Sequence, residues 1–364
     1  SDLGKSVEIF PYYTEFNPQK FYSPKEFVLE LSKRIQKIEK KDKYTQLNPE
    51  RIININLDHK QLSEIFETKW FDDFDKYLTL NPDCGIKIIT PSNYKKNNNI
   101  KVPCYISSGI NSDVAKWMSE RKLSEDVSYK SINNLYDFMH INKTSHALYN
   151  RIMFISMLVN QYKNDKMRKN AAREKLWQAQ NGAGLFFDKN GLFSNNLLKQ
   201  QAYKNLMEAD KILREDGNFK ETISTFDYDE DGINDYVCRM QNYFAFISLV
   251  GGSINELDFI KNSGNYALNN SRIDLYDGYS DDYQRNIFVD HLFSNDQFDH
   301  YINDEPAGNG IFSKIHFTEC KFSHNHKEIQ IAASAIYSPT KQKVYLRKKY
   351  IINSIIQEGF LCLI

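Results

Sequence analysis

The chain has 364 residues, 41% of them hydrophobic and 14% aromatic, which is enough apolar material for a sizeable folded core. Its 47 Lys and Arg residues balance 47 Asp and Glu residues, so the formal net charge is zero. A neutral chain has no global field that attracts nucleic acid or an anionic membrane, and we expect neither as a partner. Small or neutral partners are favoured instead.

The cysteine pattern bears on the compartment. Cys84, Cys104, Cys238, Cys320 and Cys362 are odd in number, widely spaced and without a C-x-x-C pair. Such spacing is typical of reduced thiols, so we expect a cytoplasmic protein without disulfides. The sequence also lacks a run of about 18 apolar residues, the length a membrane-spanning helix needs.

Residues 1–110 alternate between helical and β-rich patterns. Residues 23–38 combine a capping box and an early proline with apolar residues at helical spacing, and predict an amphipathic helix. The runs RIININL at 51–57 and IKIIT at 86–90 predict strands, with a second helical pattern between them. Alternating helices and strands are typical of α/β units around a parallel sheet.

The rest of the chain changes character twice. Residues 111–220 show helical spacing, clearest at 147–162 and 171–180, and predict a helical bundle. Residues 221–364 contain short β-rich runs separated by turn residues, and predict an all-β domain with the pattern of a sandwich. The last ten residues are largely apolar and end without a polar tail. We therefore expect this β-domain to be truncated at its C-terminus.

Three stretches occur together in an order known from one enzyme family. They are KWFDDFDKYL with IKIITPSNY, then AREKLWQAQNGAGLFFDKNGLFSNNLL, and then FDYDEDGINDYVCRMQNYFAFISLVGGSINELDF followed by RNIFVDHLF. The last is the most specific, because an acidic loop, a strand, a Gly-Gly-x-x-x-Glu-Leu turn and an Arg-x-x-Phe-x-Asp-His segment follow one another. In these stretches the chain resembles glycoside hydrolase family 57, which includes 4-α-glucanotransferases, α-amylases and branching enzymes.

The resemblance implies a fold and a substrate class. Residues 1–110 would be the end of a (β/α) barrel, residues 111–220 a helical domain, and residues 221–364 a β-sandwich. The implied overall class is α/β followed by α and all-β regions. The implied partner is an α-glucan or an oligosaccharide.

The resemblance also implies a retaining mechanism that uses a carboxylate nucleophile and a carboxylic acid about 5 Å apart. The family nucleophile is a Glu on a strand upstream of the region where this chain begins, and nothing before Arg51 offers that context. Asp58 occupies the position of the general acid, but the following HKQLSEIFE departs from the family's acidic, glycine-containing loop. Alternatively, Asp58 is the N-cap of a helix, a role that Asp fills well. We expect an incomplete catalytic site.

Further sugar contacts are implied in the helical region, where the family presents Trp and His to the acceptor. The equally spaced residues here are both Phe, which keeps an aromatic surface but loses the imidazole. Alternatively, these rings pack in the core of the bundle. The candidate sugar-binding residues are Trp70, Gln178, Gln180, Asn181, Phe186 and Phe187.

The acidic loop at 227–235 has oxygen ligands at alternating positions and a glycine for a sharp turn, which suits Ca²⁺. Its candidate ligands are Asp227, Asp229, Asp231 and Asp235. The twelfth position of an EF-hand loop would be Cys238, so the usual bidentate Glu is missing, and a solvated turn is the alternative. No other cofactor is expected.

Two histidines, His324 and His326, follow His316 and Cys320 in HFTECKFSHNH. Their spacing matches none of the usual structural zinc patterns, so we expect no zinc site there. Two function classes remain open. The chain is either part of an α-glucan transferase or hydrolase, or a non-catalytic carbohydrate-binding or scaffolding module with a protein partner or a second copy of itself.

Overall fold

A computed structural model describes residues 9–10, 23–39, 52–57, 59–97, 109, 115, 134–141, 143–182, 184–185, 196–266, 286–303, 308 and 310–353. The chain divides into two compact units, Ser1–Ile106 (unit 1) and Ser107–Ile364 (unit 2). The predicted division into three domains, at 1–110, 111–220 and 221–364, stays a prediction.

The described part of unit 1 is helical. Its helices are α1 (Pro24–Glu39), α2 (His59–Glu67), α3 (Trp70–Leu80) and α4 (Pro91–Asn97), with a 3₁₀ turn at Pro82–Cys84. Ser23 Oγ accepts a hydrogen bond from the Glu26 amide at 3.3 Å, as the capping-box pattern predicts. The helical pattern that follows residue 61 is divided at Lys69, whose φ of 54° lies in the left-handed region that interrupts an α-helix.

The strands predicted at 51–57 and 86–90 are not found among the described residues of unit 1. Those residues carry only a single bridge position, at Asn54. Side chains such as Ile53 and Ile86 instead pack against the buried apolar residues of α1 and α3. A β-branched run satisfies the strand pattern by packing alone, whereas a strand also requires a neighbour that completes its ladder of hydrogen bonds.

The helices of unit 2 are α5 (Leu135–Ile141), α6 (Lys143–Gln161), α7 (Lys166–Ala179), α8 (Asn196–Arg214) and α9 (Asn295–Ile302). α6, α7 and α8 share a cluster of buried apolar side chains that includes Leu148, Ile155 and Leu206. The helices predicted at 147–162 and 171–180 are confirmed. None of the helices in the described ranges has the length and apolar content needed to span a membrane.

Two antiparallel sheets complete unit 2. The first sheet has the strand order β1 (Thr222–Phe226), β2 (Asp235–Arg239), β3 (Tyr243–Ser248), β4 (Ser253–Phe259) and β5 (Gly264–Asn265). The second has the order β6 (Thr318–Ser323), β7 (Glu328–Tyr337) and β8 (Gln342–Ile351). Both sheets contribute to one hydrophobic core, with Tyr236 and Ile247 from the first and Ile329 and Ile331 from the second. The predicted combination of helices and β-structure is confirmed.

The glycine pair between β3 and β4 makes a tight connection. Gly251 and Gly252 have φ values of 72° and 53°, and a Cβ added at Gly251 would lie 2.5 Å from a backbone oxygen. Lys348 of β8 donates hydrogen bonds to the carbonyl oxygens of Gly251 at 3.1 Å, Gly252 at 2.7 Å and Phe288 at 2.7 Å. It also forms an ion pair with Asp290. One buried ammonium group therefore holds the glycine turn, the segment at 286–290 and β8 together.

Candidate functional site

Unit 2 contains a cavity of about 520 Å³, formed where α5 and α6 meet the acidic loop and the strands β3 and β4. This volume lies within the range of about 300–1,000 Å³ that is usual for small-molecule sites. Most of the lining side chains are polar. Those that matter most for the chemistry are His140, His146, Asn150, Asp229, Asn255 and Glu256.

A buried arginine network supports one side of this cavity. Arg151 of α6 is fully buried, and its Nε lies 3.1 Å from Glu256 Oε1, while its Nη2 lies 3.0 Å from Asp258 Oδ2 and 3.8 Å from Asp210 Oδ2. Its guanidinium carbon also lies 3.6 Å from the centre of the Phe244 ring. Burial alone would lower the pKa of Arg151, but Asp258 and Glu256 outweigh it, so the pKa is raised and the charge is kept.

The same network continues through Asp210. Its two oxygens accept hydrogen bonds from Arg214 Nη2 at 2.5 Å and from Arg239 Nη2 at 2.6 Å. Burial opposes ionisation, but the two guanidinium groups outweigh it and hold the pKa of Asp210 below its usual range. Burial instead raises the pKa of Glu256 and of Asp258. Each of these three carboxyl groups lies within 3.1 Å of an arginine nitrogen of the fold itself.

The acidic loop is ordered by its own carboxylates. Asp227 accepts hydrogen bonds from the amides of Asp231 and Gly232, both at 3.0 Å, and Asp231 accepts one from the Ile233 amide at 2.8 Å. One ligand oxygen from each of Asp227, Asp229 and Asp231 lies within 4.8 Å of the others. Burial, and then the charges of Asp231 and Asp227, raise the pKa of Asp229 to about 7. The three carboxylates are therefore close enough to share one cation.

Asp235, the fourth predicted calcium ligand, lies apart from this group. It begins β2, is fully buried, and accepts a hydrogen bond from the Leu249 amide at 2.8 Å. Its Oδ2 is buried without a hydrogen-bond partner in the described part of the chain, and burial raises its pKa to about 8. The structure thus brings together three of the four candidate ligands, and calcium binding stays a prediction.

A second group of ligand atoms was not predicted. Ligand atoms of His140, His146 and Glu230 all lie within 4.8 Å of one another, and the two imidazole ring centres are 4.7 Å apart. His146 Nε2 is 3.7 Å from Glu230 Oε2, and the Tyr136 hydroxyl donates a hydrogen bond of 2.5 Å to the same oxygen. Sequence reasoning missed this group because its members lie on α5, on α6 and in the acidic loop, with no motif spacing between them.

The surroundings fix the protonation of two of these side chains. Burial, and then the neighbouring His140, lower the pKa of His146, although Glu230 opposes them. The hydrogen bond to Glu230, followed by burial, raises the pKa of Tyr136 to about 12. At neutral pH the imidazole of His146 is therefore neutral, and Tyr136 keeps the proton that it donates.

Three of the residues predicted from the resemblance, Asp58, Phe186 and Phe187, lie outside the described residues. Trp70 lies in unit 1, where its ring stacks on Phe74 with the ring centres 5.1 Å apart. It therefore contributes to an aromatic cluster of that unit, and its predicted contact with sugar stays a prediction.

The remaining candidate sugar contacts lie at the C-terminal end of α7. Gln178, Gln180 and Asn181 are exposed, and none of them lines the cavity of unit 2. Their predicted role in sugar binding is neither supported nor contradicted by this position. The polar side chains that do face the cavity come from α5, α6 and the β-region, where the sequence pattern marked only the acidic loop.

Comparison with known proteins finds a likeness among solved structures. No protein-family model and no curated protein matches the sequence. Among solved structures, the chain is similar to a 4-α-glucanotransferase from Thermococcus litoralis, with a TM-score of 0.53 and 18% sequence identity. The match covers 80% of this chain and 48% of that chain, so this chain spans about half the length of the glucanotransferase. The likeness shows a distantly shared, glucanotransferase-like fold.

Proposed function

We propose that this chain is part of an α-glucan-processing protein of the glycoside hydrolase family 57 type, that it binds an α-glucan or oligosaccharide, and that its own catalytic set is incomplete. The observation that carries the proposal is the fold shared with a 4-α-glucanotransferase over 80% of the chain. In this proposal residues 1–110 are the end of a barrel and residues 221–364 a β-sandwich. The single core shared by the two antiparallel sheets supports the sandwich.

The cavity of unit 2 is the proposed sugar site. Asn150 lines it and is only 4% exposed, yet its Nδ2 is buried without a hydrogen-bond partner in the described ranges. A buried amide donor without a partner is uncommon and favours a ligand that brings an acceptor. Asn255 and Asn286, joined by a hydrogen bond of 2.7 Å, and the rings of Tyr228 and Phe246 complete a wall suited to hydroxyl groups and C–H faces.

The carboxylates that face this cavity do not form a retaining pair in our proposal. Glu256 Oε1 is 3.1 Å from Arg151 Nε, and Glu256 Oε2 accepts a hydrogen bond from the Tyr228 hydroxyl at 3.2 Å. Both of its oxygens are therefore engaged, whereas a nucleophile needs an unhindered oxygen opposite an acid about 5 Å away. We expect binding without cleavage by the chain alone.

The alternative is a non-catalytic module that binds carbohydrate or scaffolds a protein partner or a second copy of the chain. An exposed face of the second sheet favours this alternative. Ile336 of β7 is 63% exposed and Tyr345 of β8 is 72% exposed, and the register puts both side chains on the same face. Exposed apolar side chains grouped on one face are common where a partner docks.

Calorimetric titration with maltooligosaccharides tests the proposal. Asn150→Ala should weaken binding at least about tenfold, since it removes a buried donor worth about 1.4 kcal/mol to the complex. Because the donor has no partner in the described protein, the substitution should leave folding largely intact. Asn170→Ala, on the exposed surface of α7, is the matched control. Absence of binding by the unchanged protein would overturn the proposal and favour the scaffolding alternative.

Product analysis after long incubation tests the missing chemistry. We expect neither glucose nor redistribution of chain lengths. If chain lengths are redistributed and Asp58→Ala abolishes this activity, Asp58 is the general acid. If the activity survives Asp58→Ala, the catalytic site lies elsewhere in the chain.

A further inference from the structure

The group formed by His140, His146 and Glu230 has a donor set that differs from that of the acidic loop. Two imidazoles and one carboxylate are ligands that Zn²⁺ and related transition-metal ions accept, whereas Ca²⁺ takes oxygen ligands. In a tetrahedral zinc site the ligand atoms lie about 3.3–3.6 Å from one another, given bonds of about 2.0–2.2 Å. His146 Nε2 and Glu230 Oε2 are already 3.7 Å apart.

A second observation points to a ligand at this place. His146 is only 9% exposed, and its Nε2 is buried without a hydrogen-bond partner in the part of the chain that the structure describes. A buried polar atom without a partner loses the hydrogen bond that water would have given it. A metal ion between His146 and Glu230 would supply the missing interaction.

The neighbouring side chains hold the group in place. The Tyr136 hydroxyl donates a 2.5 Å hydrogen bond to Glu230 Oε2, and carboxylates that ligate metal ions are commonly fixed by such bonds. The ring of His140 lies between Tyr136 and His146, with ring centres 6.1 Å and 4.7 Å apart, and is thereby held beside the other two ligands. Asp227, in the same loop as Glu230, adds negative charge that favours a cation.

We propose that His140, His146 and Glu230 bind a divalent transition-metal ion of the zinc class. Because both histidines line the cavity of unit 2, the coordination position that the protein leaves open faces that cavity. Its ligand set shares no residue with the group of Asp227, Asp229 and Asp231, and it contains the imidazoles that the aspartate group lacks.

The test is titration of the full chain with Zn²⁺ after removal of metal with a chelator, followed by metal analysis of the protein. We expect one Zn²⁺ per chain at this group. His140→Ala and Glu230→Gln should each weaken Zn²⁺ binding at least about 100-fold, and Tyr136→Phe about tenfold, because it only orients Glu230. His140→Ala removes an exposed ligand, so loss of folding does not confound it, and circular dichroism checks each variant.

Matched controls use potential ligands elsewhere on the surface. His324, His326 and Cys320 are exposed, and none belongs to a metal-ligating group of the described residues. His324→Ala, His326→Ala and Cys320→Ser should leave Zn²⁺ binding unchanged. Unaltered affinity in both His140→Ala and Glu230→Gln, or no Zn²⁺ binding by the unchanged protein, would overturn the proposal. The result is independent of maltooligosaccharide binding, so it does not stand or fall with the proposed function.

Discussion

Two groups of carboxylates lie in unit 2, and they differ in what neutralises them. Asp210, Glu256 and Asp258 face arginines at distances of 2.5–3.8 Å, and two of these arginines, Arg151 and Arg214, are buried. The acidic loop at 227–235 contains no Lys or Arg, and no ion pair joins its grouped aspartates to a basic residue in the described ranges. The chemical group is the same in both places, but only one of the two has its counter-charge built into the fold.

This difference separates a structural role from a binding role. Buried carboxylates that are paired with arginines stabilise one arrangement of helices and strands and have little capacity left for a ligand. Carboxylates that lie close together without a cation raise one another's pKa values. Binding of a metal ion therefore stabilises them most, because it removes their mutual repulsion. The next experiments compare the two groups, from the largest expected effect to the smallest.

Removal of the arginine charge should have the largest effect. Arg151→Met leaves Glu256 and Asp258 buried without their cation, and we expect a loss of about 3–5 kcal/mol in the free energy of unfolding, measured with denaturant. Arg173→Met, on the half-exposed surface of α7, is the control and should change stability by less than about 0.5 kcal/mol. Equal losses in the two variants would contradict a structural role for the network.

Calcium should stabilise the acidic loop by mass action. At a concentration 100 times Kd, Ca²⁺ would add about 2.7 kcal/mol to the free energy of unfolding and raise Tm, and a chelator would reverse the gain. Asp229→Asn and Asp231→Asn should reduce this response, while Asp72→Asn in unit 1 should preserve it. If neither Ca²⁺ nor chelator changes Tm, the loop is a solvated turn.

Asp235 should show the effect of a buried carboxyl group that forms no ion pair with an arginine in the described ranges. Its folded-state pKa of about 8 exceeds an unfolded value of about 3.9, so the folded protein binds the extra proton between these values. Its contribution to stability is therefore lost as pH rises through that window, by up to about 1.4 kcal/mol per pH unit. Asp235→Asn cannot ionise and should flatten this slope in urea unfolding at several pH values. If the free energy of unfolding changes equally with pH in the unchanged protein and in Asp235→Asn, the raised pKa of Asp235 is refuted.

The smallest effects are expected at neutral surface residues. Gln178→Ala and Gln180→Ala remove exposed side chains, so the free energy of unfolding should change by less than about 0.5 kcal/mol. Their response to Ca²⁺ and Zn²⁺ should equal that of the unchanged protein. A tenfold loss of maltooligosaccharide affinity in either variant would show that the sugar binds at the end of α7 and not in the cavity.

Local signals in the sequence predicted local structure well. The helix at 147–162, the β-rich character of residues 221–364 and the clustering of three aspartates in the acidic loop all follow from periodicity or from residues close in sequence. Each of these features depends on neighbours within about ten residues.

Features that depend on distant residues were missed. No strand is found at 51–57 or 86–90 among the described residues of unit 1, and no local pattern reveals that. The pairing of Arg151 with Asp258 and the approach of His146 to Glu230 join elements from separate parts of unit 2. Charge and residue type are visible in a sequence, but the distance between two such groups is set by packing.

The ammonium group of Lys348 also implies an order of assembly during synthesis. Lys348 follows Gly251 by 97 residues and Phe288 by 60 residues, so both backbone segments are made long before the side chain that joins them. The buried side chains that α6, α7 and α8 themselves contribute to their shared cluster, by contrast, have all been made at residue 214, and Ile260 is added later. Contacts between distant residues form late because their loops must first close. In a nascent chain, the three helices would thus be able to pack together before β8 is available to hold the glycine turn.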